Sequence, residues 1–153
     1  MSLPIDVAEA LKTAVNGGEF SAAFEAVRAY APRFDLAELA DLHVTVVPRG
    51  VALSVAARKL SQTDVQVDLA VQKKLSADSA ANPALELAEL DALMDLSQEI
   101  GEFVARLGRL EIPGGVAVWT ATENAPVYAI EHLREFRQFT GVLTFTFRAM
   151  RAT

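Results

Sequence analysis

The sequence predicts an α+β fold: a mainly antiparallel sheet of four or five strands, with an N-terminal helix and one long amphipathic helix packed on it. Three segments carry this expectation. In the run Phe139 to Arg148, Phe139, Gly141, Leu143, Phe145 and Phe147 alternate with Thr140, Val142, Thr144, Thr146 and Arg148, the period of a half-buried strand. Val65, Val67, Leu69 and Val71 alternate with Gln66, Asp68, Ala70 and Gln72 in the same way. From Glu86 to Leu110 the apolar residues instead recur every three and four positions, which puts them on one face of a helix.

Taken in order, residues 4 to 15 read as a helix. Pro4 suits its first turn, Asp6 and Glu9 complement its positive end, and Lys12 lies nearer its negative end. Ile5, Ala8, Leu11 and Val15 repeat at helical spacing, and Asn16-Gly17-Gly18 stops the element. Residues 20 to 31 fit two patterns. Phe20, Phe24, Val27 and Tyr30 suit a helix, whereas Phe20, Ala22, Phe24, Ala26, Arg28 and Tyr30 alternate as a strand would. Residues 35 to 40 read as a short helical turn or a loop.

His43 to Pro48 reads as a short strand ended by its proline, with Arg49-Gly50 starting a turn. Residues 51 to 62 fit either a continuing strand or an irregular arm. Asp64 to Leu75 is a strand, and the Ser, Ala, Asp and Asn of residues 76 to 83 form a loop. The long helix then presents Leu90, Leu93, Leu96 or Ser97, Ile100, Phe103, Val104 and Leu107 to the core, and Pro113-Gly114-Gly115 ends the element. Val116 to Thr120 is a strand, Glu123 to Pro126 a turn, and Tyr128 to Gln138 a connector or short helix before the last strand.

The 153 residues suit one domain, 1–153, without internal repeats or a dividing linker. Hydrophobic residues make up 52% and mean hydropathy is +0.24, an apolar surplus that points to a subunit interface. Uncharged apolar stretches fall well short of the roughly 20 residues of a bilayer span, and the first residues carry no secretory pattern. The absence of cysteine removes thiolate nucleophiles and cysteine-ligated metals. A net charge of −6 argues against binding by phosphate neutralisation.

No residue pattern predicts catalysis, a metal or a cofactor. His43 and His132 lie in a strand and a connector and read as ordinary hydrogen-bonded side chains. Asp64 and Asp68 share a strand face but read as solvent-facing. Gly17-Gly18 and Gly114-Gly115 follow helices, whereas a phosphate loop needs glycines between a strand and a helix start. Trp119 suits core or interface. Charge is segregated: Glu86, Glu89, Asp91, Asp95, Glu99 and Glu102 crowd the long helix, and Arg134, Arg137, Arg148 and Arg151 the C-terminal segment. Either these are two solvated faces, or copies meet acidic face to basic face. On the second reading Glu99, Glu102, Arg134, Arg137, Arg148 and Arg151 are candidate interface residues.

Three segments together carry a family resemblance: Tyr30 to Pro48, ending in His-Val-Thr-Val-Val-Pro; Val67-Asp-Leu-Ala-Val-Gln-Lys-Lys74; and Asn124 to Phe147, ending in Phe-Thr-Gly-Val-Leu-Thr-Phe-Thr-Phe. The chain resembles small structural proteins of tailed bacteriophages and prophages, of the tail-terminator or head–tail completion (neck) kind. The resemblance favours the strand reading of residues 20 to 31. It implies a non-enzymatic virion protein, made in the host bacterial cytoplasm, whose copies form a ring, commonly sixfold, at the head-proximal end of the tail tube. Its implied partners are further copies, the tail tube protein and the head–tail connector, with DNA passing through the lumen without tight binding and no membrane involved. Other neck, head-completion or baseplate-associated roles share this protomer plan. A cellular small-molecule-binding or enzymatic α+β domain is the alternative from a different class.

Overall fold

The computed structural model describes residues 2–32, 38–57 and 60–151. Its elements run α1 (Leu3–Asn16), β1 (Ala26–Arg28), a 3₁₀ turn (Glu38–Ala40), β2 (His43–Ala57), β3 (Leu60–Lys74), a second 3₁₀ turn (Ala77–Ala81), α2 (Pro83–Leu107), β4 (Arg109–Ile112), β5 (Gly115–Glu123), α3 (Ile130–Phe136) and β6 (Gln138–Arg151). The architecture is α+β, as expected. The sheet has six strands in the order β1-β2-β3-β6-β5-β4, all neighbours antiparallel except β1 and β2, which run parallel. The expectation of four or five strands with one long helix is therefore only roughly met.

Helices α1 and α2 bury their apolar stripes in the same sheet face. Val7, Ala8, Leu11 and Val15 of α1 meet Val44, Val46, Val65, Val67, Leu69 and Val71, together with Phe139, Leu143, Phe145 and Phe147. From α2, Leu93, Leu96, Ile100 and Val104 complete this core. Ser97 sits among them because its hydroxyl donates to the carbonyl of Leu93 at 3.0 Å, which satisfies a polar group away from water. Leu107 is 42% exposed, so the stripe ends one turn earlier than its spacing suggests.

Several boundaries differ from the sequence reading, each for a local reason. Residues 20 to 31 give a strand only over Ala26–Arg28. The aromatic residues before it pack instead of pairing: Phe20 stacks on Phe24 at 5.4 Å and meets Phe103 edge-on at 5.2 Å. Of the short helical turn or loop expected at 35 to 40, residues 35–37 lie outside the described residues, and Glu38–Ala40 form the first 3₁₀ turn. β2 does not end at Pro48 but passes it through a bulge and continues to Ala57, as a strand with little pairing on its outer side can. The stretch read as a continuing strand or an arm is thus strand on both sides of residues 58–59, which lie outside the described residues.

Asn82 caps α2 by accepting from the N–H of Leu85 at 3.2 Å, and the helix stops at Leu107, where Gly108 turns left-handed at φ 72°. Arg109 and Leu110, expected to end the helix, instead begin β4. Pro113-Gly114, with Gly114 at φ 79°, closes a tight turn in which Ile112 pairs with Gly115. The final strand buries the expected face, and Gln138, Thr140 and Thr144 on the other face are also buried. Gln138 donates to Thr140 at 2.8 Å, and Arg49 donates to Thr144 at 3.0 Å, so polar side chains roof that face.

Candidate interaction surface

Beyond the core, β2 and β3 continue as a hairpin, with Leu53 opposite Thr63, Ser54 opposite Gln62 and Val55 opposite Ser61. Among the described residues β6 follows β3 only as far as the Thr63–Ala149 pair, and no third strand pairs with the remainder of the hairpin. Val51, Leu53 and Val55 point to the side that the helices cover lower down, yet they are 50%, 71% and 81% exposed. One continuous face thus changes along β2 from fully buried Val44 and Val46 to open Val51, Leu53 and Val55.

The outer edge of β2 is free over the same stretch. β1 pairs only with Val44, Thr45 and Val46, and the N–H of Ala29 donates to the carbonyl of Val46 at 3.0 Å. Among the described residues no strand lies against the outer side of β2 beyond that point. On the opposite margin β4 is the last strand, four residues long, covering β5 from Gly115 to Val118. Leu110 and Ile112 of β4 point into the core, while Arg109 and Glu111 are exposed.

The charged residues singled out in the sequence are held largely within the chain. Glu99 accepts from the backbone N–H of Ser21 at 2.9 Å and from its hydroxyl, tying α2 to the segment before β1. Glu102 accepts from Gln98 at 2.9 Å along the helix. Arg137, a left-handed residue at φ 49° that ends α3, donates to Ser79 at 2.8 Å and lies 4.0 Å from Glu86. Arg148 pairs with Asp64 across the sheet at 3.2 Å, and Gln62 can turn its amide to accept from the same guanidinium at 2.7 Å. Arg134 is exposed on α3. The backbone of Arg151 pairs with Gly115, and its side chain lies outside the described residues. Glu99 and Glu102 thus line one surface depression with Asp95 and Gln98, while Arg137 and Arg148 are each engaged by a carboxylate elsewhere in the fold.

Asp64 and Asp68 do share a face, as their spacing implies, and each is engaged: Asp68 accepts from Thr144 at 2.7 Å and from Arg49 at 3.4 Å. His132 lies 2.9 Å from the hydroxyl of Thr140, on a different element from His43. Among the described residues no group of three His, Asp or Glu side chains is placed to hold a metal ion. Glu9 has its carboxyl held below the usual glutamate range by hydrogen bonds from Lys12 and then Arg28. Glu89 is lowered likewise, chiefly by Ser76, whose N–H donates to it at 3.2 Å. Both are structural contacts at element junctions. A cleft of about 350 Å³ opens beside Glu89, lined by apolar residues such as Leu42, Leu75, Leu93 and Leu96 together with Ser21, Lys73 and Lys74.

Among the described residues no helix is long and apolar enough to cross a membrane. Comparison with models of known protein families gives no match, and comparison with curated proteins gives none. The sequence reading left residues 51 to 62 open between strand and arm, and did not foresee that as strand they present an exposed apolar face. The alternation of Val51, Leu53 and Val55 with Ala52 and Ser54 is its signal.

Proposed function

We propose that this protein is a structural component of a tailed phage or prophage, a tail terminator whose copies form a ring at the head-proximal end of the tail tube and join tail to connector. It acts by shape rather than by a reactive group. The observation that carries the reading is the outer half of β2 in the β2–β3 hairpin, whose Val51, Leu53 and Val55 are exposed on a chain already rich in apolar residues. Exposed strand edges and one-sided apolar hairpins are what a subunit offers to neighbours. The acidic net charge of −6 suits a lumen that lets DNA pass without gripping phosphates. The residues of the family resemblance support the placement at the tail.

Two measurements test this reading. Light scattering and electron microscopy of the purified protein, alone and with tail tubes, should show ring-sized assemblies, at least on the tube ends. Particles produced without the protein should carry tails of uncontrolled length. Tails of normal length lying free beside filled heads would instead assign the protein to the neck, and a monomer that ignores tubes would count against the terminator role.

A further inference from the structure

Two margins of the sheet fit each other. Following the pairing across the sheet, Leu53 lies opposite Thr63, Thr63 opposite Ala149, Ala149 opposite Ala117, and Ala117 opposite Leu110. The neighbouring row runs Ala52, Asp64, Arg148, Val118, Arg109. The outer edge of β2 and the outer edge of β4, both without a paired strand there among the described residues, therefore stand at the same height on opposite sides of one sheet. Side chains within a row share a face. Leu110 and Ala117, at one end of the row, are 4% and 0% exposed, while Leu53 at the other end is 71% exposed.

From these rows we infer that a second copy of this chain docks by continuing the sheet: β4 of one copy lies along β2 of the next, beside Ala52–Val55. Four antiparallel steps separate β2 from β4, so both strands run in the same direction. A copy placed alongside without inversion sets them parallel, the geometry β1 already uses on β2. β1 occupies the outer side of β2 only beside Val44, Thr45 and Val46, so among the described residues the space beside Ala52–Val55 is open to the incoming β4. The faces agree as well. Val51, Leu53 and Val55 come onto the side of the neighbour's Leu110 and Ile112, extending its core margin. Its exposed Arg109 and Glu111 fall on the side of Ala52 and Ser54.

The contact uses two different surfaces of each copy. It is therefore head-to-tail and propagates until rotation closes it. This inference rests on the ring assembly proposed above and names the strands that make it. Main-chain pairing supplies attraction, and the alternate apolar side chains supply specificity.

The chain has no cysteine, which permits a clean test. Ser54→Cys and Glu111→Cys place thiols on exposed positions at matching heights of the two edges. With a short bifunctional maleimide, the double variant should give a covalent ladder. A mixture of the two single variants should give dimers and nothing larger, and each single variant alone should stay uncrosslinked. Adding Leu53→Asp should abolish the ladder without moving the thermal midpoint of the monomer. Ring-sized assemblies in which the double variant fails to crosslink would overturn the edge pairing while leaving the proposed function standing. Crosslinking of a single variant to itself would show a two-fold contact and overturn the head-to-tail arrangement, and thiol capture by the tube protein instead would overturn the choice of partner. Absence of both assembly and ladder, even with tail tubes present, would overturn the inference together with the proposed function.

Discussion

Asn16 and Ala26 bond to each other in both directions: the amide Nδ2 of Asn16 donates to the carbonyl of Ala26 at 3.0 Å, and the N–H of Ala26 donates back to Oδ1 at 2.7 Å. The side-chain amide acts as a peptide group would and ties the start of β1 to the C-terminus of α1. Replacing Asn16 with Ala removes both bonds and leaves two backbone groups to find water. The expected cost is about 1–2 kcal/mol, read from urea unfolding. An unchanged midpoint would mean that β1 is held by its pairing with β2 alone.

Glu9 gives a pH dependence of known sign. Its carboxylate accepts from Lys12 at 2.8 Å and Arg28 at 2.7 Å, contacts that lower its folded pKa. A lowered pKa adds stability above the ordinary glutamate range, and that stability is lost as pH falls through the folded value. Glu9→Gln should therefore be less stable than the parent near about pH 7, and the difference should shrink to nothing well below about pH 4. Thermal midpoints measured across that interval check it. A gap that persists in acid would assign the loss to packing rather than charge.

Gln72 is the buried side chain with the least reason to be polar. It is 0% exposed, and neither Nε2 nor Oε1 has a hydrogen-bond partner; the hydroxyl of Thr45, one diagonal step away, is in the same state. Desolvated and unpaired, an amide costs about 1–3 kcal/mol. Gln72→Leu, close in volume, should raise the unfolding free energy by about 1 kcal/mol. A large loss instead would show that an ordered water serves the amide.

Two glycines separate strain from crowding. Gly108 sits at φ 72° with open space where a Cβ would go, so Gly108→Ala should cost about 1 kcal/mol through backbone conformation alone. At Gly141 a Cβ would fall 3.0 Å from the carbonyl oxygen of Val127 and 3.1 Å from the ring of Phe139. Gly141→Ala should push the connector off β6. Hydrogen exchange at Ala129, whose N–H donates to Thr140 at 2.8 Å, should then speed up, while Gly108→Ala should leave it alone.

Much of this fold is legible in the sequence because burial is one-sided. The alternation of β3 and β6 and the stripe of α2 place Val65, Phe145 and Ile100 in the core directly. The misreadings fall where tertiary pairing overrides local pattern. Pro48 reads as a strand end because nothing in the sequence announces a bulge there. Helical spacing carries the reading of α2 past Gly108 to Leu110, into the start of β4, although Gly108 followed by Pro113-Gly114 is the pattern of a helix stop and a tight turn. The candidate charged surface is the least legible part. Counting signs along the chain does not show that Arg148 is engaged by Asp64, or that Glu99 holds Ser21.

β6 lies between β3 and β5, and with it the two hairpins become one sheet. Asp64 and Arg148, joined across it, are 84 positions apart. Each hairpin closes over a short loop and is quick to form, whereas the insertion between them waits on a contact of long sequence separation. During that wait the inner edges of β3 and β5 are as open as the outer edges of β2 and β4. A nascent chain therefore exposes two more strand edges to a wrong partner than the finished subunit does. Slow synthesis of the last strand, or a chaperone that shields the gap until it arrives, would decide how much of the protein escapes aggregation.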